Sequence, residues 1–484
     1  MSSSFKAALR QAVQCPAWQQ NLFIPVLALL TALWIWLEGG RVLDVESLQT
    51  LWRSVHEPQN LFECLLAPLQ ASSDAVAALM ALISTLSLCL FCRISCLVGI
   101  GPQTTFLLFL LLNFNPEYND VRLQVSAFQP AMLLWLTGLY LFLAYYRNYL
   151  YWAFLAWALT AWLAALFVPA AAFWAGGFPL LFLFWPGRSN WRQRLCERGL
   201  FLLAYYALIV CIILVIAPWR EAVTAWLPAF IQNLDLKRHD MSFFINANNP
   251  VDISLFEGFL IALLLVVVNA AKIIGPVIVL MIILAVTRRA MNTVLEMRVR
   301  LFFAFSLGYF WVLSAFAFLY YDALPSDLYY TPITMLTLWL VSGVVFYALQ
   351  RVKSGRIPPQ RLLILAWLMV AYALASIITF GPSLTYLREA GEWARQQRAG
   401  GRVFSNSLTA LYYGGGAPFR NSDGFAEMGN AVSHYYDIST GDLYIHIQGR
   451  NNPQQPEDFE LFDILHTFAN ERGDKAYILR PKAE

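Results

Sequence analysis

Charge is what this chain has least of. Asp, Glu, Lys and Arg make up 13% of its 484 residues, against 59% hydrophobic residues and a mean hydropathy of +0.55. A water-soluble chain of this length does not normally carry that balance, so the composition reads as an integral membrane protein. The net charge of +3 gives no footing for a nucleic-acid partner. A disulfide framework is missing too. The cysteines, at 15, 64, 89, 92, 96, 196 and 211, fall mostly in or beside apolar segments, and none lies in the polar C-terminal region. Cys89 and Cys92 have metal-like spacing but no His nearby, and read as small buried residues. Lys6 and Arg10 precede an apolar stretch, Leu22 to Leu37, with no small-x-small cleavage site, which is expected to stay as the first anchor. Internal repeats and low-complexity tracts are absent.

Long apolar runs are abundant. A spanning helix needs about 20 mostly apolar residues, fewer where aromatic ends sit in the interface. Segments near 20–38, 75–97, 103–115, 129–146, 149–171, 175–186, 199–217, 255–287, 301–320, 332–350 and 362–380 predict about eleven crossings. The run 255–287 would extend roughly 50 Å as one helix, past a hydrocarbon core near 30 Å. It is either one tilted helix or two half-helices, and Gly275-Pro276 supplies a kink. Charge favours a single crossing. With the N-terminus cytoplasmic, Lys6, Arg10, Arg93, Arg147, Arg188, Arg192, Arg194, Arg198, Arg288, Arg289, Arg298, Arg300, Arg351, Lys353, Arg356 and Arg361 then fall inside, and only Arg41, Arg53, Arg122, Arg220, Lys237 and Arg238 fall outside.

On this topology the outer face receives loop 39–73, loop 116–128, the long loop 218–254, loop 321–331 and everything after Gly381. The expected fold is mainly α, with a transmembrane region over 1–380 and a small α/β extracytoplasmic domain over 381–484. In that last part a helix-like run (LTYLREAGEWARQQRA) leads to strand-like GRVFSNS. DLYIHIQGR, an amphipathic helix-like PEDFELFDILHTFANERG and strand-like KAYILRP follow. Gly414-Gly415-Gly416 lacks the spacing of a dinucleotide fingerprint and reads as a turn.

Chemistry is expected in loop 39–73, where Asp44 and Glu46 follow the first apolar helix and Arg53, His56 and Glu57 follow on a stretch with the look of a short interfacial helix. A carboxylate at a water–lipid boundary can serve as a general base on a hydroxyl. Residues two apart on an extended segment face the same way, so Asp44 and Glu46 are expected to share one site. Most outer-loop carboxylates are simply solvated, and that is the bland alternative. Lys237, Arg238 and His239 form the dense cationic cluster of loop 218–254, suited to a lipid-linked phosphate or to anionic headgroups. Loop 116–128 adds Asp120 and Arg122. Lys272, deep in the long run beside Asn269, reads as structural or snorkelling.

The layout resembles the GT-C superfamily of polytopic glycosyltransferases, which includes aminoarabinose and mannosyl transferases. The likeness lies in an acidic first outer loop, a long outer loop between helices seven and eight, and a small domain after the last helix. The stretches NPEYNDVRLQVSAFQPAMLLWLTGLYLFLAYYRN and LYWAFLAWALTAWLAALFVP also resemble that family's helix three-to-five region. The family's first loop shows adjacent acidic residues, whereas here the order is Asp44-Val45-Glu46. The resemblance implies a bacterial inner-membrane enzyme that moves a sugar from a polyprenyl-phosphate carrier to a hydroxyl of a glycan, lipid or protein, with inversion. Asp44 would be the base, assisted by Glu46. Arg53, Lys237, Arg238, His239, Asp120 and Arg122 would bind substrate, and no metal or other cofactor is required. Two rivals stand beside it: a non-catalytic relative in an envelope-polysaccharide assembly system, and a transporter, against which the polar insertions gather on one face rather than at the midplane.

Overall fold

In the computed structural model the described residues are 17–38, 42–43, 45–56, 58, 60–69, 73–168, 171, 174, 177, 180, 191–215, 255–287, 295–321, 327–355, 371, 374, 384–398, 400–415, 441–450 and 462–482. They form α1 (Ala17–Glu38), α2 (Val45–His56), α3 (Leu61–Leu66), α4 (Ser73–Leu97), α5 (Pro102–Asn113), α6 (Pro116–Val121), α7 (Phe128–Tyr145) and α8 (Leu150–Phe167). There follow α9 (Trp191–Val215), α10 (Leu255–Ile274), α11 (Pro276–Thr287), α12 (Met297–Tyr321), α13 (Asp327–Lys353) and α14 (Thr385–Gln397). The chain continues with β1 (Val403–Ser405), α15 (Leu408–Gly414), β2 (Leu443–Gln448), β3 (Phe462–Ala469) and β4 (Lys475–Pro481). Contacts divide the chain into two units: Met1–Ala28, Ile83–Val121 and Ala127–Ser376 in the first, and Leu29–Leu82, Arg122–Ser126 and Ile377–Glu484 in the second.

The first unit is built on α13, which packs against α5, α6, α7, α10, α11 and α12. A helix with so many neighbours is apolar nearly all round, and its small polar residues must turn inward. Tyr330, Ile333, Met335, Leu336, Leu338 and Trp339 are fully buried, and Thr334, Thr337 and Ser342 nearly so. The Trp339 ring stacks between Phe91 and Phe303, each at 4.9 Å. Its Nε1 donates to Ser95 Oγ at 2.8 Å, so the one polar atom of a buried indole is satisfied.

The run 255–287 is neither straight nor singly tilted. Helices α10 and α11 meet at 114°, a broken span or re-entrant turn, so of the two expectations the half-helices broken at Gly275-Pro276 hold and the single tilted helix does not. Gly275 takes φ +86, a left-handed conformation that only glycine adopts freely, and Pro276 starts the next helix without needing an N–H partner. The break turns the Ile274 carbonyl out of the ladder, and Asn115 Nδ2 donates to it at 3.0 Å. The same side chain accepts from the Tyr118 N–H at 3.0 Å and caps α6.

The count of crossings is also corrected. Among the described residues four helices are long and apolar enough to cross a membrane: Ser73–Leu97, Phe128–Tyr145, Leu150–Phe167 and Tyr330–Lys353, or five if the bent pair is one span. They make the chain an integral membrane protein, with fewer spans than apolarity alone implied. Leu22–Glu38 and Pro102–Asn113 are apolar but shorter. At ~1.5 Å per residue α5 reaches only about 18 Å, and it is apolar because it lies under α13. Over their described residues α9 and α12 open on Arg192, Arg194, Glu197 and Arg198, and on Arg298 and Arg300, and do not reach the length and apolarity of a crossing. The expected segments 175–186 and 362–380 lie outside what is described, apart from isolated residues.

In the second unit a four-stranded sheet has the order β1-β2-β4-β3, with β1 and β2 parallel and the other pairs antiparallel. Leu387, Ala390 and Ala394 of α14 cover one face, over Val403, Leu443, Ile445, Ala476 and Ile478. One element departs from expectation. Phe462–Ala469 is a strand, where the spacing of Phe462, Leu465 and Phe468 predicts an amphipathic helix. A register shift between Ile464 and His466 breaks the two-residue alternation and leaves a three-residue spacing of apolar side chains that mimics a helix.

The double role of Asn115 yields a test. Asn115→Ala removes the cap and leaves the Ile274 carbonyl without this donor, and is expected to destabilise the protein by about 2–4 kcal/mol. A lowered thermal midpoint in detergent or nanodiscs checks it; an unchanged midpoint contradicts it.

Candidate functional site

Loop 39–73 folds into two short helices whose positions are set by buried contacts. Helix α2 turns Ser47, Leu48, Leu51 and Ser54 inward, the i, i+1, i+4, i+7 pattern of one helical face. Its Ser47 Oγ accepts from the Val125 N–H at 2.7 Å, fixing the segment that carries Arg122 to the helix that carries Glu46. Asn60 caps α3 by accepting from the Glu63 N–H at 3.0 Å. The Glu63 side chain is only 2% exposed, and Arg53, 34% exposed, brings Nε to 3.4 Å from its carboxylate. That is an ion pair without the alignment of a hydrogen bond. A second guanidinium nitrogen of Arg53 donates to Thr50 Oγ1 at 3.3 Å.

The ends of the loop are tied as well. Trp36 Nε1, at the end of α1, donates to Asp74 Oδ1 at the start of α4, at 2.9 Å. The buried Leu43 N–H donates to the Tyr413 hydroxyl at 3.3 Å, and the Ser73 hydroxyl bonds to that same phenol. Tyr413 lies on α15, which packs on α2, on α14 and on β1. Its position depends on Gly391 of α14, where a Cβ would come within 2.6 Å of the Ala410 carbonyl oxygen and 2.9 Å of the Gly414 nitrogen. Arg388 lies 5.8 Å over the Tyr413 ring and bonds Glu392 at 2.7 Å, and it also feels the Asp74 carboxylate. Burial pushes the Tyr413 phenol above its ordinary value, partly offset by the bonds from Leu43 and Ser73 and by Arg388. It therefore stays protonated and neutral at physiological pH. The neighbouring Tyr412 and Tyr386 are pushed up to about 12, also by burial.

The expected site residues fare unequally. Asp44 and the cluster Lys237, Arg238 and His239 lie outside the described residues, as does Glu57. Of Glu46 and Asp120 only the backbone is described: Glu46 is in the first turn of α2 and Asp120 in α6. Glu46 stands on a helix that begins at Val45, not on an extended segment. Arg53 pairs with Glu63 and Thr50, and Arg122 is fully buried. Lys272 is exposed, in keeping with a snorkelling side chain. Among the described residues no group of three or more His, Cys, Asp or Glu is placed to hold a metal ion. Tyr413, Ser73, Asp74 and Arg388 were missed by sequence reasoning. No local pattern marks a phenol that meets a backbone amide 370 positions away.

Comparison with known proteins adds a likeness of fold. No protein-family model and no curated protein matches the chain. Among solved structures it is similar to ArnT from Cupriavidus metallidurans, crystallised bound to undecaprenyl phosphate. The TM-score is 0.50 at 11% identity, and the match covers 94% of this chain and 97% of the other. The two share a fold over nearly their whole lengths.

The Arg53–Glu63 pair is open to test. Arg53→Met strips the buried carboxylate of its neighbouring cation and is expected to destabilise the protein by about 1–3 kcal/mol, discounted for the partial exposure of Arg53. Adding Glu63→Leu is expected to recover most of that loss. Thermal denaturation of both variants measures it, and a double variant worse than the single one would refute the pairing.

Proposed function

We propose that the chain is a membrane glycosyltransferase that moves a sugar from a polyprenyl-phosphate carrier to an acceptor hydroxyl at the extracytoplasmic face, with inversion. The observation that carries this reading is the full-length fold likeness to ArnT, a protein crystallised with undecaprenyl phosphate. An acidic loop held by buried contacts on both sides supports it.

In this mechanism Asp44, assisted by Glu46, takes the proton of the acceptor hydroxyl. The hydroxyl oxygen attacks the anomeric carbon from the face opposite the leaving group. The bond from that carbon to the phosphate oxygen breaks, and its electron pair leaves on the polyprenyl phosphate. Because Arg53 and Arg122 are taken up within the fold, the phosphate falls first to Lys237, Arg238 and His239. Cations that bind the departing phosphate more strongly than the bound donor lower the barrier. Asp120, in α6, is assigned to substrate binding.

Asp44→Asn separates catalysis from structure. Asn keeps the size and polarity of Asp while removing the base. The variant is expected to lose about 10²–10⁴ in turnover, with its thermal midpoint unchanged. The measurement is release of polyprenyl phosphate from a polyprenyl-phosphate sugar in proteoliposomes. Wild-type turnover by the variant would remove Asp44 from the mechanism. A wild-type chain that consumes no such donor would leave the non-catalytic assembly component as the better reading.

A further inference from the structure

The phenol of Tyr413 sits where both ends of the acidic loop meet the C-terminal region. Leu43 is the residue before Asp44, and its N–H donates to the Tyr413 hydroxyl at 3.3 Å. Ser73 opens α4 at the far end of the loop and bonds to the same hydroxyl. The Tyr413 ring is fixed by three further contacts. Arg388 lies over its face, Tyr412 stands edge-on at 5.1 Å, and the glycine at 391 lets α14 and α15 approach closely enough to seat it. A polar bond made by a rigid, buried group is a positioning device, because the side chain loses little freedom when the bond forms.

We propose that Tyr413 is a positioning residue: its hydroxyl clasps Leu43 and Ser73 and so fixes where the loop presents Asp44. The inference rests on the transferase reading for its catalytic consequence, but the clasp itself does not. A general base one ångström from its productive place loses much of its effect, since proton transfer needs near-contact geometry. Holding the backbone of the adjacent residue is the most direct way to fix it. Glu63 and Arg53 fix the middle of the loop and Ser47 fixes α2, whereas Tyr413 alone among these groups touches the residue next to Asp44. The C-terminal region thereby contributes to the rate without supplying a group that touches substrate.

The test is Tyr413→Phe in the full-length protein, which removes the hydroxyl and keeps the ring beneath Arg388. Hydrogen–deuterium exchange is expected to rise at least several-fold in peptides covering residues 43–56, while peptides over α14 and β4 stay protected. Turnover is expected to fall about 10- to 100-fold with KM for the polyprenyl-phosphate donor unchanged. Ser73→Ala, which cuts one of the two bonds, is expected to give a smaller change of the same kind. Unchanged exchange over 43–56 overturns the clasp. Raised exchange with unchanged turnover, in a protein whose Asp44→Asn variant is inactive, overturns the positioning role. If Asp44→Asn keeps full turnover, it is the transferase mechanism that has failed, and the exchange measurement still decides the clasp by itself.

Discussion

A peptide group removed from water has to find a partner, and in this protein that requirement decides where helices begin, break and turn. Where the chain leaves helical geometry at Gly275, one carbonyl is released into apolar surroundings, and the fold answers with the amide of Asn115. The same amide starts α6. Several of the polar residues that dot the first unit serve the same requirement. Ser95 takes the indole of Trp339, Thr334 takes the carbonyl of Tyr330, and Gln129 donates to the carbonyl of Val121. Each such pair relieves a local debt of hydrogen bonding, and together they let α13 be enclosed by six neighbouring helices.

The second unit obeys the same requirement by other means. Its loop helices are too short to be stable alone, so α2 and α3 owe their existence to what they touch. The bonds are few and specific: Ser47 with Val125, Asn60 with Glu63, Arg53 with Glu63, Leu43 and Ser73 with Tyr413.

The elements with strong periodicity were legible in the sequence: α14 over its helix-like run, β1 in GRVFSNS, β2 in DLYIHIQGR and β4 in KAYILRP. The number of membrane crossings was not, because apolarity reports burial and does not distinguish lipid from protein. Helix α5 shows the difference, with Leu108, Phe109 and Leu112 buried in the protein core. The strand β3 was misread because its bulge replaces an alternation with a three-residue spacing. At the site, the acidic loop could be picked out by its charge, but Tyr413 could not, because its meaning lies wholly in a contact with a distant amide. Arg53 illustrates the converse: a sequence shows that a cation is present, and only packing shows that it already pairs with Glu63.

The strand order carries a consequence for timing. Strand β4 lies between β2 and β3 although it comes last of the four in the chain, so the sheet remains two separate fragments until residues 475–481 have been made. Helix α15 leans on β1 and on α14, which itself rests on β4. A growing chain thus makes its acidic loop long before the support for that loop exists. Assembly order makes the anchored geometry of the loop a property of a polypeptide extended through β4, and a ribosome-stalled product lacking that strand would display the loop unsecured.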